Sequence, residues 1–196
     1  MNTFENNCFK KYILFWFSQS VSELGSAMTG FALILWAYTM TGSALAVSVM
    51  SFCSYVPYIV MSLFAGAIVD GYSKKKVILI ADTVAAAGST VMLACCAADV
   101  LQIWHIYVVN IVMGFMNAIQ SPAVLVATGM LVPKEKLAKV SGMNSFSGNL
   151  VTTLAPVIAS AVFAFGGIGA VLLMDLGSFF FAFFVLLFFI KISERR

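Results

Sequence analysis

Three carboxylates stand where carboxylates are costly. Glu23, Asp82 and Asp175 each interrupt a long apolar run of the 196-residue chain. A charged carboxylate at the centre of a bilayer costs roughly 2.5–3.5 kcal/mol or more if it faces lipid. Each must therefore face other helices or water, where it can exchange a proton, hold a cation or bond to its neighbours. Glu23 lies 11 residues past Tyr12, about 16 Å along a helix. That depth is near the middle of a ~30 Å hydrocarbon core. Gln19, Ser22, Ser26 and Thr29 share its helical face, at spacings of three and four. Glu23 is thus the leading candidate for proton exchange or for attracting cationic compounds, set against a protonated acid that only bonds across helices. Asp175 sits about 8 Å into its own run, where a helix N-terminus favours an anion, so structural and proton-coupling roles are both open. Asp82 reads as structural, close to a lysine-rich turn that could latch it. Tyr58, Asn110 and Asn117 join Gln19, Ser22 and Ser26 as expected cavity-lining residues, because buried amides and hydroxyls need partners.

The elements that must carry these groups follow from composition. Hydrophobic residues make up 62% of the chain and charged residues 10%, with a mean hydropathy of +1.01. Soluble domains have roughly 25% charged residues, so the chain is expected to be an all-α transmembrane protein. Long uninterrupted apolar runs exclude a β-barrel, whose strands are short and alternating. Expected spans cover 12–38, 45–69, 77–97, 101–126, 140–165 and 170–190, forming a six-helix bundle over 12–190. Residues 1–11 form an N-terminal tail and 191–196 the start of a further loop. The first run shows no cleavage site, so it is expected to remain as a helix. All 11 Lys and Arg residues fall in the two tails, the 2–3 loop and the 4–5 loop. Basic loops stay cytoplasmic, which places both termini inside.

Other chemistry is thinly represented. Cys8, Cys53, Cys95 and Cys96 show no metal-binding or redox spacing, and no metal or organic cofactor is expected. The lysine clusters are short and hug membrane ends, so nucleic acid is not an expected partner. His105, beside Trp104 and Tyr107, reads as an interfacial residue. No catalytic constellation suggests an enzyme.

The densest charge lies in the turn GAIVDGYSKKK, residues 66–76. Gly66, Asp70, Lys74 and Lys75 stand at matching positions of a motif found between the second and third helices of major facilitator transporters. Gly71 and Ser73 replace that motif's usual Arg and Gly. With six spans and both ends inside, the chain resembles the N-terminal six-helix half of such a transporter. SQSVSELGSAMTGFAL, VPKEKLAKVSGMNS and LLMDLGSFFF are similar to the proton-coupled drug exporters of macrolide type. Gly142 and Pro156 match the antiporter pattern of the fifth helix, whose other positions fall on Val151, Ala155, Ala159 and Ser160. The fourth-helix Arg frequent in the family is absent here.

The resemblance implies export of drug-like amphipathic small molecules across a bacterial plasma membrane, driven by the proton gradient. The partners it implies are the lipid bilayer, the small-molecule substrate and protons. Length leaves an alternative: a truncated or split-gene fragment without transport of its own, or a half-transporter working with a second six-helix chain. The resemblance also makes Asp70 a latch between conformational states. In a complete transporter, Asp70→Asn is expected to impair substrate flux while leaving membrane insertion unchanged. Normal transport by that variant would count against the latch.

Overall fold

The computed structural model describes residues 3–132 and 134–189, and the described chain is helical throughout apart from short turns. A backbone in hydrocarbon has no water to bond to, so it must satisfy its own N–H and C=O groups. Long helices are the result: α1 (Thr3–Thr41), α2 (Ala44–Gly71), α3 (Lys74–Ala97), α4 (Ile103–Leu131) and α5 (Leu137–Phe184). A 3₁₀ turn, Lys134–Lys136, precedes α5, and a π-helical turn, Val185–Phe189, continues it. Among the described residues, five helices are long and apolar enough to cross a membrane, the last running Leu137–Phe189.

That last helix is 53 residues long, about 80 Å at 1.5 Å per residue, more than twice a hydrocarbon core. It breaks at Gly167, whose φ of 66° and ψ of −169° are non-helical. Glycine lacks the Cβ that penalises this conformation. The two arms on either side, 137–166 and 168–184, pack in opposite directions. Val140 at the start of the first arm and Val185 just past the second share one apolar core. Ala155, Ala159, Ile168 and Leu172, near the break, share the other.

These two cores organise the bundle. One gathers Tyr12, Phe15, Val69, Ile78, Leu131 and Leu186. The other gathers Met28, Leu33, Met50, Met92, Ile106 and Val171. Between the two cores, α1, α3 and α4 carry polar side chains such as Ser22, Glu23, Asp82, Asn110 and Asn117 alongside small and apolar ones.

Helix limits differ from the expected spans. Residues 3–11, expected as a tail, are helical. The 2–3 connection shrinks to Tyr72 and Ser73, because α2 runs on to Gly71 and α3 starts at Lys74. Hydropathy marks where hydrocarbon ends, whereas helices continue into the headgroup region on residues such as Lys that form helices well and snorkel. The expected C-terminal loop, 191–196, lies outside the described residues.

The connections are capped locally. Ser43 caps α2 by accepting the N–H of Ala46 at 3.4 Å. His105 is part of a capping box: its Nδ1 accepts the backbone N–H of Gln102 at 3.1 Å. Its ring stacks on Trp104 with centroids 3.8 Å apart. At the opposite end, the ammonium groups of Lys136 and Lys139 lie 4.5 and 5.4 Å from the Phe9 ring centroid. Lys75 Nζ donates to the carbonyl of Leu187 at 3.0 Å, a cation meeting exposed carbonyls at a helix C-terminus.

Helices α2 and α4 approach closely at Gly114, where an added Cβ would run into the carbonyl oxygen of Ser54. Around Gly142 a Cβ would meet nothing within 4 Å. Gly114→Val is therefore expected to destabilise the folded bundle by about 1–3 kcal/mol, the usual cost of overpacking. Gly142→Ala is expected to be nearly neutral. Thermal unfolding of the detergent-solubilised variants measures the difference.

Candidate functional site

Between the two apolar cores lies a cavity of about 650 Å³. Its walls come from α1, α2, α3, α4 and the second arm of α5. Gln19, Ser22 and Ser26 line it from α1, Tyr58 from α2, and Asn110 and Asn117 from α4. The bundle thus brings all six expected cavity residues to one space. Glu23, Asp82 and Asp175 line it too. A smaller chamber of about 220 Å³ adjoins it, with Gln19 and Glu23 in both walls.

The three carboxylates sit in different surroundings. Glu23 is exposed to the cavity and accepts no hydrogen bond from a described residue. Asp175 is only 6% exposed. Its Oδ1 accepts from Ser26 Oγ of α1 at 3.1 Å, and its Oδ2 accepts from Ser89 Oγ of α3 at 2.7 Å. One side chain therefore ties three helices together, and its partners are hydroxyls on neighbouring helices. Asp82, also 6% exposed, accepts on Oδ1 from Gln120 Nε2 of α4 at 2.6 Å. The sequence places Asp82 in a latch at the lysine turn; the fold turns it into the cavity instead. It stands on the α3 face carrying Ser89, seven residues and two turns on, which directs it to the bundle interior.

The remaining walls of the smaller chamber are the aromatic Tyr12, Phe15 and Trp16, the hydroxyls of Ser20, Thr128 and Ser147, Asn144 and Val124. Tyr12 Oη donates to Asn144 Oδ1 at 3.0 Å, and Ser147 Oγ donates to Ser20 Oγ at 2.6 Å. The Trp16 indole nitrogen and the Gln19 amide nitrogen are buried with no well-formed hydrogen bond among the described residues. The polar start of the first arm of α5, around Asn144 and Ser147, is thus consumed in pairing with α1.

The expected motif residues lie apart from the cavity. Asp70 is exposed in the last turn of α2 and bonds to no described side chain. Gly66 lies one turn earlier, with open space where a Cβ would be. Lys74 Nζ reaches the carbonyl of Tyr72 at 3.3 Å, and Lys75 reaches Leu187 as described above. Gly142 is exposed and Pro156 half-buried on the first arm of α5. At the antiporter positions it is Val151, Ala155 and Ala159 that are buried.

Gln120 and Ser89 are wall residues that lack a clear mark in the sequence. Ser89 is readable from its heptad spacing to Asp82 and Gln120 only from its place beside Ser121. Neither spacing says which carboxylate it will meet.

A cavity lined by carboxylates, amides, hydroxyls and apolar side chains, set among membrane-length helices between two apolar cores, fits a multi-pass membrane protein. The chain belongs to the Major Facilitator Superfamily, whose profile matches residues 15–196. It is 28% identical over 170 residues to macrolide efflux protein A of Streptococcus pyogenes, covering 87% of this chain and 42% of that protein. It is also 28% identical over 134 residues to macrolide efflux protein A of Enterococcus faecalis, covering 68% and 41% respectively. The chain thus spans about two-fifths of the length of these relatives. No solved structure matches it significantly.

Because Asp175 joins α1, α3 and α5, its loss acts first on assembly. Asp175→Ala is expected to lower stability in detergent by about 1–3 kcal/mol, two interhelical bonds at roughly 0.6–1.7 kcal/mol each. Asp175→Asn, which keeps one carbonyl acceptor, is expected to lose less. Unfolding in a denaturing detergent titration reads both.

Proposed function

We propose that this chain is the N-terminal six-helix half of a proton-coupled exporter of amphipathic small molecules, with Glu23 as its principal proton carrier. In this reading α1 to α4 and the two arms of α5 each cross a bacterial plasma membrane, and both ends are cytoplasmic. The opposed packing of the α5 arms about Gly167 supports six crossings. The basic residues Lys74, Lys75, Lys76, Lys136 and Lys139 all lie at the end of the bundle that holds the Tyr12–Leu186 core, and basic loops favour the cytoplasmic side. The match to macrolide efflux proteins supports export of drug-like compounds.

One observation carries the assignment to Glu23: its carboxylate opens onto the cavity near mid-membrane and is committed to no described partner. A group already held by donors, like Asp175, has something to lose in changing protonation. Glu23 is free to exchange a proton for a substrate cation as the cavity alternates between sides, in the manner of paired repeats rocking about a midplane site. One proton moving down ~100 mV supplies about 2.3 kcal/mol, close to a 50-fold gradient of an uncharged substrate.

A second reading is favoured by one fact, that the chain covers only 42% of its relatives' length. Transport would then need another six-helix unit, and this chain alone would be inactive. The faces of α2 and of the first arm of α5 carry exposed Phe52, Leu63, Phe64, Phe146 and Val157, surface that suits either lipid or such a unit.

Glu23→Gln is expected to abolish proton-driven accumulation of substrate in everted vesicles of a transport-competent assembly while leaving membrane insertion intact. Unchanged accumulation would overturn the role of Glu23. A strictly monomeric chain that accumulates substrate would overturn the second reading.

A further inference from the structure

Asp82 plays no part in the exchange assigned to Glu23, yet its surroundings differ from those of Asp175 in a telling way. Both are buried to the same degree and both line the cavity. Asp175 has a hydroxyl donor on each oxygen. Asp82 has the Gln120 amide on Oδ1, while Oδ2 is buried without a partner among the described residues. An ionised oxygen in that state is strongly disfavoured, because burying an uncompensated charge costs far more than burying the neutral acid. The described structure therefore suits a protonated Asp82.

A group that could receive the ionised form is close by. The Gln19 side chain lies within reach of the Asp82 carboxyl, and among the described residues its buried amide nitrogen makes no well-formed hydrogen bond. Gln19 precedes Glu23 by one helical turn on the same face, and it stands in the walls of both chambers. It is thus the α1 side chain shared by the surroundings of the two carboxylates.

The other titratable groups are few. From α1 Glu23 faces the cavity, from α2 Tyr58, and from the second arm of α5 Asp175; α4 contributes none. Tyr12 faces the smaller chamber. Among the described residues no Lys, Arg or His lines either wall, so no described cation there holds Asp82 in its charged form.

We propose that Asp82 is a second proton-exchange site of this cavity, with Gln19 as the positioning residue that passes between it and Glu23. On release, the Oδ2 proton goes to cavity water and the Gln19 amide turns to donate to the bared oxygen. On uptake, a proton arriving on the Glu23 side returns to Oδ2 and frees the Gln19 amide. Asp175 stays outside this exchange because both of its oxygens are engaged. The inference extends the proton-coupled reading, but its test does not require transport.

Dicyclohexylcarbodiimide reacts with protonated carboxyl groups in apolar surroundings. The carboxyl proton passes to the carbodiimide nitrogen as the carboxylate oxygen bonds to its central carbon. The intact chain in liposomes is treated across about pH 5 to 9, and adducts on each carboxylate are quantified by peptide mass spectrometry. Asp82 is expected to label, with labelling falling about tenfold per pH unit above its titration point, while Asp175 labels little at any pH. Gln19→Leu, which removes the donor to the ionised form, is expected to move the Asp82 midpoint to higher pH. A purely structural Gln19 would leave that midpoint where it was. Absent or pH-independent labelling of Asp82 overturns the proposal, as does labelling no greater than that of Asp175. Titrating Asp82 beside a non-titrating Glu23 supports exchange at Asp82 and overturns both its link to Glu23 through Gln19 and the Glu23 assignment.

Discussion

A carboxylate cannot be left facing hydrocarbon, and much of this bundle follows from where its three are put. Each of Glu23, Asp82 and Asp175 sits on a helix whose other sides are apolar, so each helix has one rotation that keeps its carboxylate out of lipid. Satisfying all three together turns α1, α3 and the second arm of α5 toward a common centre, where α2 and α4 complete the cavity wall. The Ser26–Asp175–Ser89 contact is where that requirement becomes a fixed geometry.

Lipid supplies little hydrophobic drive for packing helix against helix, so close approach and interhelical hydrogen bonds carry more of the specificity. Gly114 lets α4 press against the Ser54 backbone of α2. Two apolar cores then close the bundle above and below the polar layer. That layering gives a membrane protein both a rigid frame and an internal site: the cores hold the ends of the helices, while the middle keeps polar groups that packing alone would not tolerate.

The cavity's charge is one-sided. Among the described residues its polar wall groups are carboxylates, amides and hydroxyls with no basic side chain, whereas Lys136 and Lys139 stand over Phe9 and Lys75 on the Leu187 carbonyl at the bundle end. Separation of the two signs follows from cost. Lysine stems reach the interface from helix ends, while a carboxyl group can enter the interior by taking a proton.

From the sequence alone, the membrane class, the polar face of α1, the wall positions Tyr58, Asn110 and Asn117, and the alternation of basic loops can be read. All are one-dimensional patterns of hydropathy and spacing, and helix geometry converts spacing directly into a shared face. Helix ends are less legible, since α1, α2 and α3 continue past the hydrocarbon limits that hydropathy detects. Which polar groups meet is not legible at all. Asp82 reads as part of a lysine latch, but its partner is Gln120, and Asp175 finds hydroxyls 149 and 86 residues away in sequence. Such pairings depend on the rotation and crossing of helices distant in the chain, and only the packed tertiary structure decides them.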